Sequence, residues 1–269
     1  MSEPASVQSR TQPRRVRVEQ VMGTAIGLDL RDPEVPEHTV HAAFAWLSEV
    51  DARFSPFKAE SEISRLGRGE LTLKECHQDV AVVLSLCEDL RHFSGGVFNA
   101  WRARADGRLD PSGVVKGWAV DRMATILERA GAHNFCINAG GDVLARGEPT
   151  PGQPWRIGIR HPRNATAVAA ALAVRNGAVA TSGAYERGDH ILDARTGQAC
   201  HELLSLTAVG PSLTLADAYA TIGFAMGVPG IAWVASIPGY EPYAVTAQGR
   251  VHYTDKLAVI PSPMLLPNL

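Results

Sequence analysis

The 269-residue sequence has no uninterrupted apolar run of about 18 residues, the length a helix needs to cross a hydrocarbon core. No transmembrane helix and no stable membrane insertion are therefore expected. Its formal charge is only −2 and its pI is near 6.5, so the basic stripe of a nucleic-acid binder is missing and no nucleic-acid partner is expected. Cysteine is scarce. Cys76, Cys87, Cys136 and Cys200 form no C-x-x-C pair or other metal-type spacing, and they read as reduced structural thiols in a cytoplasmic protein. None of the histidines falls in an H-E-x-x-H arrangement. The first residues lack the apolar segment and small-residue cleavage site of a signal peptide. Residues 1–15 are expected to form a loose tail, ahead of one domain over 16–269.

What the chain does have is 45% hydrophobic residues, ample for a core. Strand patterns flank a Met22-Gly23-Thr24 turn between Val16 and Leu30. Val40, Phe44, Leu47 and Val50 follow helical spacing up to Phe54, and Val80 to Phe93 predicts a second helix stopped by Ser94-Gly95-Gly96. A third runs from Val114 to Leu127, with Asp110 and Ser112 as N-cap candidates. Thr214 to Met226 predicts a fourth, capped by Thr214. Strands are expected at Asn134–Gly147 (two, around a glycine turn), Trp155–Arg160, Ala167–Val174, Leu203–Val209, Ile231–Ser236, Tyr243–Thr246 and Val251–Thr254. Helices and antiparallel-looking strand pairs alternate without a βαβ rhythm. The expected class is α+β, with mixed, largely antiparallel sheets packed by helices.

Three stretches carry chemistry. In Leu109–Asp121, Gly113 lets the backbone approach a ligand, while Lys116 and a helix N-terminus present positive charge suited to a phosphate or pyrophosphate. A capped helix after a surface turn explains the same pattern. Asp217 and Thr221 stand at i and i+4, so a carboxylate and a hydroxyl share one helix face and could hold a hard cation such as Mg²⁺. A solvated face is the plainer explanation, but the flanking run is apolar. In Thr181–Gly197, His190 could act as a general base, with Asp193 nearby to orient it. A Ser-His-Asp triad is conceivable, but Ser182 is not in a G-x-S-x-G elbow, and a loop histidine without a role is the commonest case. The Asn138-Ala139-Gly140-Gly141-Asp142 turn lacks G-x-G-x-x-G and precedes a strand, which argues against a dinucleotide-binding fold.

Taken together these stretches resemble the FAD:protein FMN transferases, the ApbE-type flavin transferases, in family order from Met22 to about Gly227. Met22-Gly23-Thr24 is similar to the opening turn, and Phe57 through Ser61-Glu62-Ile63-Ser64-Arg65-Leu66 to an aromatic followed by Ser-Glu-Ile-Ser-Arg-Leu. Asp110 to Asp121 is similar to Asp-Leu-Ser-Ala-Ile-Ala-Lys-Gly-Tyr-Ala-Val-Asp, and Asn138 to Asp142 to Asn-x-Gly-Gly-Asn/Asp. Ser182-Gly183-x-Tyr185-Glu186, His190-Ile191-Leu192-Asp193 with Thr196-Gly197, and Ala216-Asp217-Ala218 with Thr221 complete the series.

The resemblance implies an ApbE-like fold and a reaction. FAD is cleaved at its pyrophosphate with Mg²⁺, FMN passes to a Thr or Ser hydroxyl of an acceptor protein bearing a Ser/Thr-Gly-Ala-Thr-type site, and AMP leaves. It assigns the Gly113 carbonyl, Asp217 and Thr221 to the metal. Met22, Phe57, Phe98, Asn99, Asp110, Lys116, Ile191 and Asp193 are assigned to FAD, and His190 to the base role. Gly96-Val97-Phe98-Asn99 departs from the usual Gly-x-Phe-Asp, replacing a carboxylate by an amide. Tyr185 stands where an acceptor Thr would be, so self-modification there is not expected. The same residues would serve an FAD pyrophosphatase yielding FMN and AMP; a non-catalytic flavin carrier is the other alternative.

Overall fold

A computed structural model of the chain describes residues 14–102, 107–184 and 191–260. Most of the expected N-terminal tail, and His190 with Tyr185 and Glu186, lie outside the described residues.

The chain opens with a hairpin of β1 (Arg15–Val21) and β2 (Thr24–Leu30), paired from Arg15↔Leu30 to Val21↔Thr24. Met22 and Gly23 form its two-residue loop with φ of 55° and 73°, the doubly left-handed geometry that matches strand twist. The helices α1 (Glu37–Phe54), α2 (Glu62–Gly67) and α3 (Gln78–Phe93) follow. Ser61 caps α2 by accepting from the Ser64 amide at 3.1 Å. The long helix α4 (Ser112–Arg129) leads into a second hairpin of β3 (Phe135–Ala139) and β4 (Asp142–Arg146), turning at Gly140-Gly141. Then come β5 (Trp155–His161), β6 (Asn164–Val174), β7 (Gly177–Gly183), the short pair β8 (Leu192–Asp193) and β9 (Gln198–Ala199), and β10 (Leu203–Gly210). After α5 (Leu213–Ala225) and α6 (Val228–Ala235), the described chain closes with β11 (Glu241–Thr246), β12 (Val251–Tyr253) and β13 (Val259–Ile260).

An eight-stranded antiparallel sheet in the order β1-β2-β3-β4-β7-β10-β11-β12 divides the molecule. Period-two alternation puts Ile26, Leu28, Leu30, Ile137 and Leu206 on one face, where they meet the apolar sides of α1, α4 and α5 in the larger core. On the other face Val143, Val179, Tyr243 and Val245 meet a three-stranded sheet, β13-β6-β5, through Trp155, Ile157 and Leu172. The α+β class with mostly antiparallel sheets is as expected from the sequence.

Four local expectations differ. Residues 231–236 are helical within α6, not a strand, because Gly230 packs against Gly223 of α5 so closely that a Cβ on Gly230 would overlap the Gly223 carbonyl. Helix crossing, not the β-formers Ile231 and Val234, decides that segment. The N-cap of α5 is Ser212 rather than Thr214, because Thr214 directs its hydroxyl to Asp121 at 2.5 Å. The N-cap of α4 is Pro111, with no side-chain cap bond; Asp110 Oδ1 instead accepts from the Ser112 amide at 2.9 Å, one residue earlier than a cap. Strand β7, unread in the sequence, is small-residue chain buried on both sides in the sheet centre, where alternation vanishes.

Two contacts fix α4 against α5. A Cβ on Gly117 would come within 2.6 Å of the Leu213 carbonyl oxygen and 2.7 Å of Thr214 Cα, so only glycine permits this approach. One turn on, Asp121 accepts from Ser212 Oγ (2.8 Å), the Leu213 amide (3.0 Å), the Thr214 amide (2.9 Å) and Thr214 Oγ1. Its carboxylate thereby satisfies the orphan amides at the positive end of α5.

Candidate functional site

The crossing of α4 and α5 determines which side chains meet. Lys116 precedes Gly117, and its ammonium donates to Oδ2 of Asp142 at the head of β4 and lies 3.4 Å from Oδ2 of Asp217 on α5. Asp142 is anchored on its other oxygen, where Oδ1 accepts from the Thr181 amide of β7 at 2.9 Å. Asp217 and Asp142 are both buried, at 6% and 3% exposure. Asp217 Oδ2 makes no hydrogen bond; its distance to Lys116 is that of an ion pair only. One turn along α5, the Thr221 hydroxyl shares a 3.1 Å hydrogen bond with Ser182 Oγ of β7. Asp217 and Thr221 thus stand one turn apart on α5, the first buried and the second half-buried, rather than on a solvated face.

Charge in this cluster is uneven. Burial drives the Asp217 carboxyl above its usual range, the Lys116 ammonium pulls it back, and Asp142 adds to the rise. For Lys116 burial opposes the charge, but the Asp217 and Asp142 carboxylates outweigh it and hold the ammonium above its ordinary value. Two buried carboxylates thus share one cation whose side chain still reaches solvent, an arrangement that favours taking up further positive charge.

The remaining sequence-predicted residues fall into three places. Phe98, Asn99, Asp110 and Gly113 gather at the N-terminal end of α4. Phe98 is buried and its ring edge lies against Gly113, where a Cβ would sit 3.1 Å from Cε2. Asn99 Oδ1 accepts from the Trp101 amide at 2.9 Å. Beside them, the Ala194 amide donates to the Val97 carbonyl at 3.0 Å, which draws in the β8–β9 turn. Within that turn Asp193 is buried and bound by Arg195 through the guanidinium at 2.6 Å and the amide at 2.9 Å. Arg195 also keeps the Asp193 carboxyl below its usual range through those hydrogen bonds. Ile191 packs on the larger core. Phe57 stands apart in the α1–α2 loop, 76% exposed.

Met22 occupies the third place. It is the only non-glycine with positive φ among the described residues, and its loop abuts the β3–β4 turn. The Gly140 amide donates to the Ala25 carbonyl at 3.1 Å, and a Cβ on Gly140 would strike the Thr24 hydroxyl. This strained methionine therefore sits at the sheet end that carries Asp142. Met22→Gly is expected to change stability by less than about 1 kcal/mol, since relief of the left-handed strain offsets the extra chain entropy. If Met22 touches flavin, FAD affinity should fall about tenfold, on the scale of a lost thioether contact surface. Thermal melts and flavin fluorescence titration measure the two; unchanged affinity removes Met22 from the site.

Sequence reasoning missed the roles of Asp142, Asp121 and Ser182. Each acts through a partner 39 or more residues away, or in the case of Asp142 and Lys116 26 residues away, so local spacing carries no trace of them. The one available signal was an aspartate followed by Val143-Leu144-Ala145, a charge opening a buried strand.

The model of the ApbE family matches the chain over residues 22–103 and 100–243. The FAD:protein FMN transferase of Klebsiella pneumoniae (strain 342) is 30% identical over 152 residues, 53% of this chain and 43% of that protein. That of Haemophilus influenzae is 34% identical over 130 residues, 44% of this chain and 38% of that protein. The chain thus aligns with less than half the length of these relatives. Among solved structures, the flavin transferase ApbE from Vibrio cholerae matches with a TM-score of 0.77 at 21% identity, over 90% of this chain and 98% of that one. The ApbE protein from Thermotoga maritima matches with a TM-score of 0.79 at 22% identity, over 90% and 97%. At such identities the structural likeness establishes the fold alone, and it agrees with the sequence match, which takes in both halves of the buried cluster: the chain belongs to the ApbE family.

Proposed function

We propose that this chain is a Mg²⁺-dependent flavin transferase. It cleaves FAD at the pyrophosphate and passes FMN to a Thr or Ser hydroxyl of an acceptor protein with a Ser/Thr-Gly-Ala-Thr-type site, releasing AMP. The observation that carries this reading is the buried Asp217 Oδ2 without a hydrogen bond, one turn from the Thr221 hydroxyl. A carboxylate oxygen withdrawn from water without a donor is strongly unfavourable, and an oxygen-seeking cation is the partner that suits it. Asp217, Thr221 and the Gly113 carbonyl would hold Mg²⁺, which supplies neutralisation of the pyrophosphate oxygens.

The chain's own groups do the rest. The Thr221 hydroxyl, which shares its hydrogen bond with Ser182 Oγ, would offer an oxygen lone pair to the cation. The Lys116 ammonium and the N-terminal end of α4 present positive charge to the phosphates. Met22, Phe57, Phe98, Asn99, Asp110, Ile191 and Asp193 would line the FAD path. His190 would accept the proton of the acceptor hydroxyl as its oxygen bonds to the FMN phosphorus. The phosphorus–oxygen bond of the pyrophosphate breaks, and AMP departs with the bridging oxygen. The acceptor is taken to be cytoplasmic, in line with the absence of any disulfide-type or metal-type cysteine spacing in the sequence. No helix among the described residues is long and apolar enough to cross a membrane.

The test is intact-mass analysis of an acceptor domain incubated with this protein, FAD and Mg²⁺. The expected result is a gain of one FMN per acceptor, lost on chelation. His190→Ala should slow the gain by about a hundredfold or more, the usual contribution of a general base, while FAD affinity is retained. FMN and AMP accumulating without a mass gain would identify a pyrophosphatase instead, and intact FAD would identify a carrier.

A further inference from the structure

The Lys116 ammonium has two carboxylates within reach and is bonded to only one. It donates to Asp142 Oδ2, whereas the closer oxygen of Asp217 is 3.4 Å away and has no hydrogen bond. Asp142 does not move to meet Lys116; its second oxygen is held by the Thr181 amide in the middle of the sheet. Asp217 is held independently, on a helix whose start is bound by Asp121. Were Asp142 neutral, the nearest anion for Lys116 would be Asp217, and a shift of under 1 Å would close an ordinary N–H···O contact there.

We propose that Asp142 is a positioning residue that draws the Lys116 ammonium off Asp217 and so keeps the Asp217 carboxylate open to a divalent cation. The idea rests on the metal role of Asp217 proposed above. Lys116 is in this sense an internal competitor for the cation, and Asp142 is the restraint on it. One charged side chain then serves two ends: its ammonium stays close enough to face a phosphate, yet does not occupy the metal ligand.

The experiment is titration of the full-length protein with Mn²⁺ alone, free Mn²⁺ being read by its electron paramagnetic resonance signal. Four proteins are compared: wild type, Asp142→Asn, Lys116→Gln/Asp142→Asn and Asp217→Ala. Asparagine keeps an oxygen for the Thr181 amide, and a melting curve on each variant checks folding. Asp142→Asn is expected to weaken Mn²⁺ binding about tenfold or more, the scale of one added ion pair at a partly buried carboxylate. The double variant is expected to return to within about threefold of wild type, because the competitor is gone.

Equal affinity in wild type and Asp142→Asn overturns the inference. So does a double variant as weak as the single one, which would mean that Asp142 acts through its own charge and not through Lys116. In both cases binding by wild type and its loss in Asp217→Ala would leave the metal role of Asp217 standing. No saturable binding by wild type, or full binding by Asp217→Ala, overturns that role and the inference with it.

Discussion

Asp217→Ala is expected to abolish FMN transfer, by roughly a thousandfold or more, without loss of stability. The activity estimate follows from removing the only anionic member of the proposed metal ligands, in a phosphoryl transfer where charge neutralisation carries most of the catalysis. The stability estimate follows from the state of the residue it removes. Asp217 is buried, one of its oxygens has no hydrogen bond, and burial pushes its carboxyl upward against the pull of Lys116. Lys116 keeps its bonded partner Asp142 when Asp217 is removed, so no buried charge is left uncompensated and little stability should be lost. The melting temperature should therefore stay within a few degrees of wild type or rise. Mass analysis of the acceptor and calorimetry check the two halves. A collapse in melting temperature would make Asp217 a structural anchor, and retained transfer would remove it from catalysis.

Asp121→Ala is expected to do the reverse, unfolding the molecule more readily before any chemistry is considered. Its carboxylate takes four hydrogen bonds from the first turn of α5, two of them from backbone amides. Deleting it strands those donors at a helix start packed against α4, and a buried donor left unpaired costs about 1–3 kcal/mol. With a lost cap included, the sum should reach about 3–5 kcal/mol. For a chain of this length that corresponds to a fall in melting temperature of roughly 10 °C. Asp121→Asn should recover part of it, since the amide oxygen can still accept. A change under about 1 kcal/mol in the alanine variant would show that water or Ser212 satisfies the α5 amides unaided.

Much of this was legible beforehand, and the reason differs from element to element. The helices α1 and α3 declared themselves because each has one wet and one dry side, which spacing reveals. Asp217 with Thr221 was legible as a pair because both lie on one helix, within one turn. The strand β7 was not legible, since Gly-Ala-Val-Ala-Thr-Ser-Gly is buried on both faces and shows no alternation. The α6 segment misled for a related reason: Ile231, Trp233 and Val234 favour strands locally, and the Gly223–Gly230 contact that makes them helical is tertiary. Asp142 was legible only as part of a turn, because its partners Lys116 and Thr181 come from two other elements. Family resemblance supplied the reaction, which no spacing in the chain contains.

The bare backbone at Gly117 has a bearing on how a ligand enters. With no side chain between them, α4 and α5 touch through Gly117 and Leu213, and Asp121 clasps the same joint one turn on. Neither helix can roll or part from the other without breaking that joint. Lys116 and Asp217 ride on either side of it, so the placement of their backbones is set before any substrate arrives, and little reorganisation of the helices remains to oppose binding. Any opening and closing then belongs to connections outside this joint, such as the Met22 turn. The paired helices are the anvil: what they carry is placed by the fold and not by the ligand.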